Sequence, residues 1–360
     1  QHDPHKIHNF FEYSHSQHSA AHISPMYLIL PAILVGFLLP QKPFTQPIFP
    51  NGAGDGTIEI LAGHDLMEQT ANVFPATSTT ENINMLLAAT SKIDPFRNFV
   101  LPARQIKVWL PPGYNDDSNS ERRYPVLYCH DGQNAMYDSD SWTGHSWRMG
   151  GALTHLLRQQ LLPEAPIVVL IPSMSDDVLP GVRRRHLEYS DGIWGQAYVD
   201  AIVDNLKPRV DAAYRTKLGA NNTMAIGSSL GGQAAFLSVL RHPDVFGGAA
   251  GLSPCFQAGL LSNVVMSGAT LKEKSLYFDN GGDVDDIRVP LLDPFDHLPH
   301  WNPGYFWLDT QLQPGIDAMR TALSLHKVSF EYVRFPGGRH NEREWARRID
   351  KALLHLFGHR

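Results

Sequence analysis

Cysteine is almost absent. Cys129 and Cys255 are the only two in 360 residues, so neither a disulfide framework nor a Cys-based zinc site can be assembled from this chain. Excess positive charge is missing as well: 30 lysines and arginines face 36 aspartates and glutamates, a formal net charge of -6. That balance gives no basic footprint for a phosphate backbone, and nucleic acid is not expected as a partner. Nor is there an uninterrupted apolar run of the roughly 20 residues that a bilayer-spanning helix needs. The longest candidate, Met26–Pro40 (MYLILPAILVGFLLP), is shorter and holds two prolines, which reads as a signal-peptide core or a marginal anchor. Secretion or membrane tethering is therefore expected over a cytoplasmic location, with membrane contact only through this segment if it is retained. The histidines that crowd the first 22 residues are irregularly spaced and read as a polar tail, not as a metal site.

What is present divides the chain unevenly. Residues 1–56 read as a tail with the apolar segment and a Pro/Gly-rich linker, and residues 57–360 as one catalytic domain. Thr57–Ala62 and Phe99–Leu110 alternate apolar and polar residues as an edge hairpin would. After a polar loop the pattern becomes short apolar runs, Val126–Cys129, Ile167–Ile171, Met224–Ile226, Ala249–Leu252 and Leu276–Phe278. Between and after them lie helix-like stretches: Gly151–Leu162, Tyr198–Tyr214, Gly232–Arg241 and Gly315–Leu325. Strands alternating with helices predict an α/β fold whose mostly parallel central sheet carries helices on both faces, with its ligand site beyond the carboxyl ends of the strands.

Chemistry collects at those ends. Gly227-Ser228-Ser229-Leu230-Gly231 follows the MAI strand and precedes a helix-forming stretch, the strand-turn-helix context that a G-x-S-x-G nucleophile elbow requires; Ser229 is the central position. A serine hydroxyl needs a base within hydrogen-bond reach and a group to orient that base. His340 lies on the Gly-rich turn PGGRH after the last predicted strand, Val328–Phe335, and ahead of a predicted helix, Glu342–Phe357. For the acid, Asp285 fits best by its spacing from Gly282, with Asp283, Asp286 and Asp309 as alternatives. Backbone N–H groups must meet the oxyanion, one from Leu230 and one from Gln133 or Gly132 in the loop after VLYC. His130 and Asp131 are read as shaping that loop.

Four segments carry a resemblance in order along the chain: YPVLYCHDGQN (Tyr124–Asn134), AIGSSLGGQAAF (Ala225–Phe236), HPDVFGGAAGLSP (His242–Pro254) and FPGGRHNEREW (Phe335–Trp345). Together they resemble the putative-esterase branch of the α/β-hydrolase superfamily, which takes in enterochelin-type siderophore esterases, feruloyl and acetylxylan esterases, esterase D and the mycolyltransferases. The resemblance implies an α/β-hydrolase fold and acyl transfer without metal or organic cofactor, with Ser229, His340 and the Gln133 and Leu230 amides in their usual roles. A departure from the family is the insertion from about Ile287 to Trp307, which unsettles the acid and is expected to wall the cleft. Trp301, Trp307 and Trp142 are the candidate substrate-binding residues, suited to an aromatic or carbohydrate-linked ester. The expected partner is thus a small-molecule or polymeric ester. Two other readings share these residues: an acyltransferase of the mycolyltransferase type, and a non-catalytic binding protein that kept the fold. Arg183–Arg185 reads as a solvated cationic loop, and the two cysteines as free thiols separated by the nucleophile strand.

Overall fold

A computed structural model describes residues 48–61, 104–174, 177–179, 182–282 and 308–359. In chain order its strands are β1 (Thr57–Ile60), β2 (Lys107–Leu110), β3 (Val126–His130), β4 (Ile167–Ile171), β5 (Asp177–Leu179), β6 (Val182–Arg183), β7 (Thr223–Ser228), β8 (Gly248–Leu252), β9 (Ser275–Asn280) and β10 (Glu331–Arg334). Its helices are α1 (Met149–Arg158), α2 (Arg184–Glu188), α3 (Ile193–Ala201), α4 (Lys207–Ala213), α5 (Leu230–Arg241), α6 (Ala258–Ser267), α7 (Leu308–Leu325), α8 (Glu342–Ala346) and α9 (Ile349–Phe357).

Among the described residues, eight strands make one sheet in the order β1-β2-β4-β3-β7-β8-β9-β10, with β5 and β6 pairing separately. From β4 to β10 every neighbour is parallel, while β1 and β2 form the antiparallel edge. The central strands are apolar on both faces because both are covered. Tyr128, Val169 and Ala225 point into a core shared with α3, α4, α5 and α7. Leu127, Val168 and Ile226 point the other way, against α1 and α9. The five predicted apolar runs all fall on strands of this sheet, and its architecture is that of the α/β-hydrolase fold.

Several boundaries move for identifiable reasons. Phe49 is buried and the Gly52 N–H donates to Met136 O at 3.0 Å, so residues 48–56, read as linker, pack on the domain and the folded unit reaches back to residue 48. The last strand begins at Glu331, not Val328, because the Val328 N–H still closes the end of α7 on Leu323 O at 3.1 Å. Helix α7 starts at Leu308, ahead of Gly315, and runs through Pro314 at the cost of one backbone bond. The predicted Glu342–Phe357 helix is two helices, broken at Arg347–Arg348, where Arg348 turns its side chain into the core.

Candidate active site

Strand β7 ends in a sharp turn. Ser229 has φ 54° and ψ -124°, a conformation an L-residue holds only when its surroundings over-determine it. They do so here: the Ser229 N–H donates to Leu252 O at 2.9 Å, and Ser229 O accepts the Cys255 N–H at 2.9 Å. Any side chain at Gly227 would stand 2.3 Å from the Gly231 backbone, so glycine is what lets strand and helix cross so tightly. Ser229 is only half-buried and sits at the mouth of α5, with Leu230 as that helix's first residue, where the backbone N–H groups have no intrahelical partners.

The loop after β3 is equally constrained. Asp131 is left-handed, with φ 55°, and Gly132–Asn134 form a single 3-10 turn. A Cβ at Gly132 would lie 2.5 Å from the backbone of Ile171, which seats this turn against the end of β4. Gln133 exchanges two bonds with Ser173: its Nε2 donates to Ser173 Oγ at 2.8 Å and its Oε1 accepts the Ser173 N–H at 3.0 Å. That fixes the side chain and with it the backbone of the turn.

His340 and Asp309 meet. Nδ1 of His340 lies 2.7 Å from Asp309 Oδ1, and both side chains are buried. Burial alone would raise the pKa of Asp309, but the hydrogen bond and charge of His340, together with the charge of Arg348, outweigh it and hold the carboxyl below its ordinary value. A Cβ at Gly281 would stand 2.2 Å from Asp309 Oδ2, so the carboxylate occupies the space a side chain there would fill. Asn280 Nδ2 donates to Asp309 O at 2.7 Å and to Gln313 Oε1 at 2.8 Å, fastening the start of α7 to the end of β9. The His340 turn is laced to the same place, since the Gly282 N–H donates to Gly338 O at 2.7 Å and the Gly337 N–H to Gly282 O at 3.0 Å.

A buried polar set, which sequence reasoning did not single out, bolts this pair to the strand ends. Trp345 stands edge-on to the His340 ring, centroids 5.0 Å apart, and its Nε1 donates to Ser253 Oγ at 3.2 Å. Arg348 Nη2 donates to the same hydroxyl at 2.6 Å, and its Nε lies 3.3 Å from Asp279 Oδ1, both side chains fully buried. Asp279 in turn accepts the Ser253 N–H at 3.0 Å. Burial lifts the Asp279 pKa to about 6 against the pull of Arg348. Ser253 directly follows Leu252, the residue that holds the Ser229 amide, so this set links the histidine turn to the elbow.

The remaining candidates sort plainly. Asp283, Asp285, Asp286, Trp301, Trp307, the Ile287–Trp307 insertion and the apolar run Met26–Pro40 lie outside the described residues. Trp142 is 46% exposed, yet its Nε1 donates to buried Glu342 Oε1 at 3.0 Å. His130 Nδ1 lies 3.0 Å from Tyr198 Oη, and burial lowers the pKa of His130 to about 4. The arginine run is not a solvated loop: Arg184 is buried, and Arg185 makes a two-pronged bond to Asp131 at 2.8 and 2.7 Å. Cys129 and Cys255 are free, on opposite sides of β7. Among the described residues no group of three or more His, Cys, Asp or Glu is placed to hold a metal ion, and no helix is long and apolar enough to cross a membrane.

Residues 102–356 match the model of the family described as "Putative esterase". Among solved structures, the enterochelin esterase of Shigella flexneri is similar at 18% identity and a TM-score of 0.53, over 88% of this chain and 62% of that one. The Shigella flexneri enterobactin esterase in the presence of enterobactin is similar at 21% identity and a TM-score of 0.51, over 71% of this chain and 55% of that one. A ferulic acid esterase overlaps 70% of this chain and 91% of its own length at 17% identity, with a TM-score of 0.49. The chain thus spans less than two thirds of the chain in the two Shigella structures, and at these identities the likeness is one of fold.

Proposed function

The chain belongs to the Putative esterase family and carries the α/β-hydrolase fold, and on that premise we propose that it hydrolyses carboxylic esters through an acyl-enzyme on Ser229. The observation that supports this most is the buried His340–Asp309 pair, laced by Gly281, Gly282 and Gly338 to the end of β9, on the same edge of the sheet as the elbow. In this reading Ser229 Oγ attacks the ester carbonyl while His340 Nε2 takes its proton, and Asp309 holds the ring's other nitrogen and stabilises the imidazolium that forms. The oxyanion accepts the Leu230 and Gln133 N–H groups. Collapse of the tetrahedral species breaks the bond to the alcohol, which leaves with the proton from His340. Water then repeats the sequence on the acyl-enzyme, returning the acid and free Ser229.

Asp309 takes the acid's place in this proposal, since it is the candidate that the described structure brings to His340. Trp142 offers a flat, half-exposed indole for an aromatic or sugar-bearing part of the substrate. The test is hydrolysis of p-nitrophenyl acetate by variants. Ser229→Ala is expected to lose activity on the order of a millionfold and Asp309→Asn on the order of 10⁴-fold. A Ser229→Ala protein keeping a tenth of the parent's turnover sinks the proposal.

A further inference from the structure

Glu342 stands two residues beyond His340, on the first turn of α8, and its carboxylate is turned inward, with the residue 2% exposed. An ionisable group so placed is costly unless its oxygens are occupied. Three donors occupy them. Asn134 Nδ2 lies 3.2 Å and Trp142 Nε1 3.0 Å from Oε1, while Thr143 Oγ1 lies 2.9 Å from Oε2. None of the three comes from α8 or the histidine turn. Asn134 is the last residue of the 3-10 turn after β3 and neighbours Gln133, whose amide is assigned to the oxyanion. Trp142 and Thr143 belong to the loop that leads from this turn into α1.

We propose that Glu342 is a positioning residue for acyl transfer, tying the oxyanion turn through Asn134, and the Trp142–Thr143 loop, to the turn that carries His340. The proposal rests on the reading of Ser229 and His340 given above. Gln133 sits on a turn seated against β4, and His340 on a turn laced to β9, so the two are held by different strands. Donors to a developing oxyanion act only within a few tenths of an ångström of their place. The bond from Asn134 to Glu342 spans 208 residues of sequence and joins the oxyanion turn to the helix that begins two residues after His340.

Glutamine can keep this tie. Its Oε1 accepts from Asn134 and Trp142 as the carboxylate does, and its Nε2 donates to Thr143 Oγ1, whose own proton has a second acceptor in His145 O at 3.2 Å. Alanine leaves all three donors without Glu342's oxygens.

The experiment measures kcat and KM for p-nitrophenyl acetate with the full chain and with Glu342→Ala, Glu342→Gln, Asn134→Ala and the Asn134→Ala/Glu342→Ala pair. Glu342→Ala is expected to lower kcat by roughly tenfold or more with KM changed by less than about threefold, because what is lost is the placing of the oxyanion donor, which acts in the transition state. Glu342→Gln should recover most of that loss, and the double variant should lose no more than the worse single one. If Glu342→Ala does not fold, Asn134→Ala carries the test, with the same expected loss in kcat. An unchanged kcat in these variants, a Gln variant no better than Ala, or additive losses in the pair overturns the proposal. Parent protein that fails to hydrolyse the ester, or hydrolysis that survives Ser229→Ala, overturns the esterase reading beneath it instead.

Discussion

Replacing Glu342 by Gln should change how stability depends on pH. Burial lifts this carboxyl from the ordinary 4.5 to about 7, against the pull of its hydrogen bonds from Thr143 and Trp142 and with a further push from the negative charge of Asp131. The folded protein therefore holds the proton more tightly than the unfolded chain does. Stability from this group is fully present below about pH 4.5 and is lost as pH rises through 7. At 1.36 kcal/mol per pKa unit the full span is about 3 kcal/mol, of which about 2.5 kcal/mol falls between about pH 5 and pH 8. Against a typical stability of about 5–15 kcal/mol that is easily read. Glutamine keeps the shape and cannot ionise. Urea unfolding followed by tryptophan fluorescence at several pH values in that window would give the free energy of each protein. The variant should gain on the parent by about 2.5 kcal/mol from the acid end to the alkaline end. Other titrating groups, Asp279 with a pKa of about 6 among them, act in both proteins and drop out of the difference. A difference flat to within about 0.5 kcal/mol would refute a carboxyl that titrates in this range.

Gly281→Ala should behave as a disguised acid mutant: its methyl group would fall 2.2 Å from Asp309 Oδ2, so esterase activity should drop by about 10²-fold or more while the circular-dichroism spectrum stays that of the parent. Arg348→Met leaves Asp279 buried without its cation and Ser253 without one of its donors. A cost of about 3–5 kcal/mol in urea unfolding is expected above pH 6, shrinking on acidification as Asp279 takes up a proton.

The sheet was legible because a strand covered on both faces must be apolar on both, and IVVLI or MAI then reads the same on paper as in space. The turns at Ser229 and His340 were legible for a local reason too: each is glycine-rich and directly follows a strand. The carboxylate that meets His340 was not. Three carboxylates crowd the residues immediately after LYFDN and outbid Asp309 on spacing, whereas the pairing of Asp309 with His340 spans 31 residues and is made by a helix whose start a proline concealed. Glu342, Asp279 and Arg348 were missed because a charge is read as solvated until the fold shows otherwise; Arg347 and Arg348 are neighbours, and only the second is fully buried. Asp279 did leave a trace. It continues the parity of Tyr277 on a strand covered on both faces, so a charge there had to find a buried partner.

The fastening of Asp309 separates two parts of the polypeptide that a triad acid on a strand loop would keep together. Asn280 grips the backbone of Asp309 and the side chain of Gln313, and Gly281 receives the carboxylate, so both ends of the segment 283–307 are anchored by residues outside it. Chain length between two anchored ends costs little, about 0.6 kcal/mol for each doubling. Grafting sequences of different length between Gly282 and Leu308, as antibody loops are exchanged on a fixed framework, is therefore expected to leave the Asp309–His340 contact in place.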